Sequence, residues 1–424
     1  MHSALADVSD DPFWRLGEAL NTAWSQANFD ELAFPALATA ALESARLHEG
    51  FSPAEHLRAS ILRDPGVAQS DGSFGEPPIV PYRGRGFFIE ILYWLDATTD
   101  IHSHGFSGAF QVLHGASIHA TYGFVPGRRV RSTLRFGAVT FRSVEHLNVG
   151  DVRPILAGDS FIHALFHLAR PSVSIVVRTT REQDHLPQLN FLPPYIAWDP
   201  LEEDRLRDRR AQALTALLET DRATLQATVE VLAREADLGT LFHALRHLTK
   251  KLVSAAELAH YTSIARARHG ALADQMLASL LEHLRQRHIT ERRANVTDPH
   301  LRWVLALLLN VPTRRDILRL VAEAGHPDPT STVIDGLGAL ARSHGSSTTT
   351  LLDLQVGHGD GGSVRVVAIV LAVIRAMMAE APLEAITQAA AAAVGGLMPA
   401  ERDGIAGLVQ DLARPASPFL NLFR

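Results

Sequence analysis

The sequence predicts an α+β multidomain chain: N-terminal helices, then a small β-barrel, then an all-helical C-terminal region. Three observations carry this. Between Phe87 and Thr179, short runs rich in β-branched and aromatic residues are separated by glycine and proline, which indicates a barrel or sandwich. After residue 201, apolar residues recur with helical spacing. Two histidines two positions apart, His102 and His104, are answered by His163 some sixty residues later. Histidines at i and i+2 of a strand project from one face, and a third from another strand can close a triangular face of a transition-metal ion.

Taken in order, residues 1–65 read as helices that pack on the barrel. Asp11-Pro12 followed by Phe13, Trp14, Leu20 and Trp24 is a capped amphipathic helix, and Ser52-Pro53-Ala54-Glu55 is a capping box with proline at the first helical position. Residues 66–200 form the barrel. A loop rich in Gly, Ser, Asp and Pro runs to Pro81, and strands follow at Phe87–Trp94, Ala109–Leu113, Ala116–Phe124, Val130–Phe136, Val139–Phe141 and Val173–Thr179. A connector with Pro187, Pro193-Pro194 and Pro200 leads into residues 201–424, where Leu225, Val229 and Leu232 share a helix face and Ser254, Pro299 and Thr313 open further helices. These helices are apolar enough on one face to form their own core, so an independently folded unit is expected. Ser343–Thr350 reads as a loop and the alanine run at 389–393 as a packed helix.

Composition bounds the function. A net charge of −6 gives no electrostatic footprint for nucleic acid or an anionic membrane. The longest apolar run, Val366 to Val373, is too short to span a bilayer, and Met1–Asp11 lacks the apolar core of a signal peptide, so a cytoplasmic location is expected. The chain has no cysteine and 21 histidines, which restricts any metal site to imidazole and carboxylate. His243 and His247, at i and i+4, read as a solvated helix face, and Gly357–Gly362 lacks the Lys-Ser/Thr ending of a phosphate-binding loop, so no nucleotide is expected.

Motif by motif, the barrel resembles the cupin superfamily. His102-x-His104 followed by Gly115 matches the first cupin motif, and Gly158-Asp159 leading to His163 matches the second, with His167 where other cupins often carry asparagine. The resemblance implies a double-stranded β-helix (jelly-roll) barrel. Cupins usually add a glutamate after the histidine pair, but Ser107, Gly108 and Ala109 occupy that place, so a three-histidine site is implied. Cupin spacing selects His163 as third ligand over His167, which would lie behind the ligands or at the barrel mouth.

Among cupins, the arrangement is similar to the thiol dioxygenases, the cysteine dioxygenase and 3-mercaptopropionate dioxygenase group, over roughly residues 50 to 200. Ile91-Leu92-Tyr93-Trp94 matches the strand before the metal motif, and Pro171-Ser172-Val173-Ser174 the stretch after the third ligand. The resemblance implies Fe(II), or another divalent transition metal, with a small-molecule or carrier-presented substrate and dioxygen as partners. Arg83 or Arg85 would grip a substrate carboxylate, and Trp94 would line the cavity. The group's Ser-x-His-x-Tyr triad is replaced here by Ser174-Ile175-Val176-Val177-Arg178, and the Cys–Tyr crosslink of mammalian cysteine dioxygenase cannot form. The substrate is therefore expected not to be free cysteine.

Three further candidates follow. Glu90 shares a strand face with Leu92 and Trp94, so it faces inward with Trp94, as a general base or the partner of an arginine. Tyr122 and His119 lie on opposite faces of their strand, so at most one points inward; Tyr122 would donate to a reacting oxygen, and His119 could equally be a surface residue. His167 completes the set. The expected function is a mononuclear non-heme iron(II) oxygenase; the alternatives are a non-oxygenase metal cupin (isomerase, lyase or hydrolase) and a non-catalytic ligand sensor. The helical domain could cover the barrel mouth, form a homodimer, or bind a peptide or carrier protein.

Overall fold

The computed structural model describes residues 11–62, 66–69, 74–95, 98–180, 182–249, 254–342 and 364–424. The segments read as a loop at Ser343–Thr350 and as a glycine-rich connection at Gly357–Gly362 lie outside the described residues.

The architecture is mixed α/β. Among the described residues, three helices come first: α1 (Pro12–Gln26), α2 (Phe34–Ala45) and α3 (Pro53–Leu62). Asp11 caps α1 by accepting from the backbone N–H groups of Phe13 and Trp14, and Pro12 sits where its missing N–H costs nothing. Among the described residues, eleven strands follow: β1 (Pro78–Arg83), β2 (Phe87–Trp94), β3 (Ile101–His104), β4 (Gly108–His114), β5 (Ser117–Arg131), β6 (Leu134–Leu147), β7 (Val152–Ile155), β8 (Gly158–His167), β9 (Ser172–Thr179), β10 (Asn190–Leu192) and β11 (Ile196–Trp198).

The strands form two sheets. One is five-stranded, in the order β1-β2-β9-β4-β7; the other is a closed six-stranded antiparallel barrel, β10-β11-β6-β5-β8-β3. Every residue of β2 is buried, because both its faces are covered. Phe87, Ile89, Ile91 and Tyr93 pack against Phe13, Leu16, Leu20 and Trp24 of α1, whereas Leu92 and Trp94 join Phe110, Leu165 and Val176 on the other face.

Two strand readings need correcting. The run Val130–Phe136 is not one strand: Val130 and Arg131 end β5, a turn occupies Ser132-Thr133, and Leu134 begins β6. The Pro-rich connector holds β10 and β11, which complete the barrel; three residues each are too few to show a period.

The helical region comprises α4 (Arg205–Thr220), α5 (Arg222–Glu235), α6 (Leu238–Thr249), α7 (Ala255–His269), α8 (Ala271–Arg293), α9 (Pro299–Asn310), α10 (Arg314–Glu323), α11 (Pro329–Arg342), α12 (Val364–Met378), α13 (Leu383–Ala393) and α14 (Pro399–Ala413). Among the described residues, no helix is long and apolar enough to cross a membrane.

The chain divides into two compact units, residues 1–124 with 145–190, and residues 125–144 with 191–424. In the second unit, Leu134 and Phe136 of β6 and Ile196 and Trp198 of β11 share a core with Val229, Phe242, Leu245 and Met276. In the first, the interior face of the five-stranded sheet meets the histidine motifs.

Candidate metal centre

His102 and His104 alternate to one face of β3, and pairing of β3 with β8 sets His102 opposite His163. The ladder shifts register between the two β3 histidines, so His104 stands opposite Gly158, whose φ of +70° suits glycine. Together the two strands bring three imidazoles into one buried cluster. One ring nitrogen from each of His102, His104 and His163 lies within 4.8 Å of the others. The ring centroids are 4.7, 4.7 and 4.9 Å apart. Among the described residues, this is the one group of three or more His, Cys, Asp or Glu side chains that could hold a metal ion.

The electrostatics suit a metal. Burial pushes the His102 pKa down, and burial reinforced by neighbouring charges pushes those of His104 and His163 well below the ordinary histidine range. The rings are therefore neutral, each with one nitrogen lone pair to give. His102 Nδ1 lies 2.8 Å from the carbonyl oxygen of Asp100, which can only accept, so Nδ1 carries the hydrogen and Nε2 the lone pair. His104 Nδ1 is buried and has no hydrogen-bond partner among the described residues. A buried orphan of this kind needs an explanation, and a cation bound at that nitrogen would supply one. The donor set thus fits a transition-metal ion.

No carboxylate enters the cluster from β4, and the backbone explains why. A Cβ added at Gly108 would lie 2.0 Å from the Val177 carbonyl oxygen, because β4 and β9 run too close for any side chain there. Ser107 donates its backbone N–H to Thr179 Oγ1 and to Glu182 Oε1.

The remaining candidates fall around the cluster as follows. His167, one of the residues weighed as third ligand, lies outside it: its Nδ1 is 3.0 Å from Ser117 Oγ, and its ring stacks on Trp94 at 4.6 Å. Trp94 is buried and donates Nε1–H to Ser174 Oγ at 2.9 Å. A cavity of about 10 Å³, lined in part by Ser117, His167, Ser172 and Ser174, adjoins them, room for about one water. Phe74, 52% exposed, packs edge-on to Trp94 and to His102.

Glu90 is buried on the Trp94 face of β2, with a carboxylate oxygen 3.8 Å from Arg178 Nη1. In the sequence, Arg178 is only a departure from a motif. Its guanidinium stacks over Phe106 at 3.7 Å and Phe88 at 4.9 Å, and its charge helps depress the pKa of His104. Burial lowers its own pKa to about 10, which still leaves it cationic at neutral pH.

Three candidates are not brought to the cluster. Arg83 is exposed on the edge strand β1, where it bonds the carbonyl oxygens of Ala68 and Gln69. Arg85 is exposed and stacks on Phe29 of the helical layer. Tyr122 lies on the opposite face of β5 from His119, and His119 is the one that reaches the site, its Nε2 3.0 Å from His163 Nδ1. The signal was in the sequence: Ser117, His119 and Thr121 form a polar stripe alternating with Ile118, Ala120 and Tyr122.

The second histidine pair is not a solvated face. His247 Nε2 bonds Thr215 Oγ1 at 2.8 Å, while burial and the charges of Arg207, Arg246 and Arg131 push the His243 pKa down to about 4.

Comparison with protein-family models and with curated proteins finds no match for this chain.

Proposed function

We propose that the chain is a mononuclear non-heme iron(II) oxygenase with a cupin-like barrel, akin to the thiol dioxygenases, acting on a small substrate with an acidic group. The observation that carries this reading is the convergence of three buried, neutral imidazoles, with no carboxylate among them, on one point. His102, His104 and His163 would hold the ion. When bound, iron(II) would supply Lewis acidity and one-electron exchange with dioxygen.

Around it, the chain's own residues bind and orient. Phe110, Leu165 and Val176 give the interior an apolar lining, and the lower local dielectric strengthens the charge interactions there. Arg178, restrained by Glu90 and held between two phenylalanine rings, is the anchor for the substrate's acidic group through charge-assisted hydrogen bonds. It takes the role the sequence suggested for Arg83 or Arg85. The two serines Ser172 and Ser174, with His167, give the far end of the same face a polar lining.

The carboxylate standing behind His119 and His163 favours a second reading. Histidine ligands of zinc commonly donate to such groups, and a zinc ion in the same three-nitrogen set would support a hydrolase or lyase.

Metal analysis of anaerobically purified protein, followed by an oxygen-electrode screen of small thiols and carboxylic acids, separates the two. Iron with substrate-dependent oxygen uptake is expected. Zinc with oxygen-independent turnover selects the second reading, and a chain that retains no metal overturns both. H163A should lose the metal with native far-UV circular dichroism, while H167A keeps it; the reverse pattern would show that the third ligand is misassigned.

A further inference from the structure

A chain of four side chains leads from the metal cluster out through the barrel wall, each on a different strand. His163 of β8 meets His119 of β5, Nδ1 to Nε2, at 3.0 Å. His119 Nδ1 meets Glu145 Oε1 of β6 at 2.8 Å. Arg153 of β7 grips both oxygens of Glu145, through Nε at 2.9 Å and Nη2 at 2.6 Å. His119 is 2% exposed and the Glu145 side chain 38%, so the chain starts in the interior and ends at solvent.

We propose that His119, backed by Glu145 and Arg153, is the positioning residue of the third metal ligand: it fixes the hydrogen of His163 on Nδ1 and so aims the lone pair of Nε2 into the cluster. This rests on the reading of the cluster as a metal site.

Hydrogen placement along the chain leaves little freedom. Glu145 is doubly bonded by the Arg153 guanidinium, and its hydrogen bonds to His119 and Arg153 hold its carboxyl down at about 2, so it accepts only. His119 Nδ1 must then be the donor to it. Two ring nitrogens facing each other at 3.0 Å share one hydrogen. If His163 Nδ1 donates it, both rings are neutral and His163 Nε2 is a bare lone pair. If His119 donates it, His119 is a fully buried imidazolium and His163 carries its hydrogen on Nε2, pointed at His102 and His104. The first placement avoids burying a charge and leaves the cluster three lone pairs. The rings are also held against rotation, since Phe110 packs edge-on to His119 at 5.8 Å and tilted to His163 at 5.9 Å.

The geometry separates His163 from His104, whose ring no comparable chain restrains among the described residues. His119 is therefore a place where ligand orientation is set without touching the ion.

The test uses the full-length protein with cobalt(II) as probe, whose visible absorption reports coordination. In H119L, which keeps bulk and removes the acceptor, the cobalt(II) dissociation constant should rise about 10–100-fold, the range typical of partners behind a ligand. H119Q, whose side-chain oxygen can still accept from His163 Nδ1, should recover most of that loss. E145Q lies at the half-exposed end and serves if H119L misfolds; it should weaken cobalt(II) binding about 10-fold, the lower end of the same range. Wild-type affinity and an unchanged cobalt spectrum in both H119L and E145Q would overturn the proposal. In metal-free wild-type protein, 15N spectra of labelled histidine, assigned with H163A, should show His163 protonated on Nδ1; protonation on Nε2 overturns the assignment. If wild-type protein binds no cobalt(II) at all, the metal reading fails, and the tautomer measurement alone decides the positioning role.

Discussion

At His102 the ring is held by a backbone carbonyl, at His163 by a second imidazole, and at His104 by packing against Phe106 and Phe161. These supports come from Asp100 two residues away, from β5, and from neighbours on β8 and the β3–β4 connection, which is why a motif on its own does not disclose them. Arg178 shows the same limit. Its place in the sequence marks it only as a substitution in a familiar pattern, yet its guanidinium lies on the interior face, between two aromatic rings and beside Glu90. If Arg178 anchors an acidic substrate, R178M should retain metal and fold, since the methionine stem fills the stacked slot. KM should rise about 10–100-fold, the equivalent of about one lost hydrogen bond to a charged group. R178K should not rescue it, because a point charge does not reproduce a planar fork. An unchanged KM in R178M for the acid found in the oxygen screen would remove Arg178 from the site.

Among the elements, α1 was fully legible: Asp11-Pro12 marks its start and Phe13, Leu20 and Trp24 mark its buried face. So were β2 and β9, long runs of β-branched and aromatic residues. The hairpin of β5 and β6 was not, because Ser132-Thr133 lacks the Asn-Gly or Asp-Gly signal of a tight turn and the flanking residues keep their strand character through it. Strands β10 and β11 were hidden among prolines, since each is specified by what it pairs with (β11 with Leu134–Phe136) rather than by its own three residues. The helical layer has a testable consequence. Leu20 is fully buried between α1 and the five-stranded sheet, so L20A should cost about 2–5 kcal/mol of stability, read as a fall in the denaturant midpoint. A loss below about 0.5 kcal/mol, typical of surface changes, would mean that α1 is not part of that core.

For the molecule as a whole, the second compact unit is built from both helices and strands. Ile196 and Trp198 share one core with Phe242, Leu245 and Met276, and Arg246 stacks on the Trp198 ring at 4.5 Å. A cut near Glu203, placed between the last strand and the first helix of the region, separates these partners. Both fragments should expose large apolar side chains: the N-terminal piece is expected to aggregate and the C-terminal piece to unfold without a cooperative transition. Two soluble fragments, each with its own sharp melt and with metal retained by the first, would contradict this. Sequence periodicity shows that helices have apolar faces, but not whether those faces are met by other helices or by strands from the preceding hundred residues.

Gly108 carries a consequence for how such a centre can change over generations. Its position on β4 has the same parity as Phe110 and Val112, which face the interior, so it is where a fourth donor would enter from that strand. With the Val177 carbonyl 2.0 Å from where a Cβ would sit, no side chain can be installed at Gly108 on this backbone. Strands β4 and β9 would first have to part, at a cost to the ladder that holds Arg178 in place. At this one position the all-nitrogen character of the cluster is guarded by backbone proximity, and a mixed nitrogen–oxygen site would have to recruit its oxygen from elsewhere on the interior face.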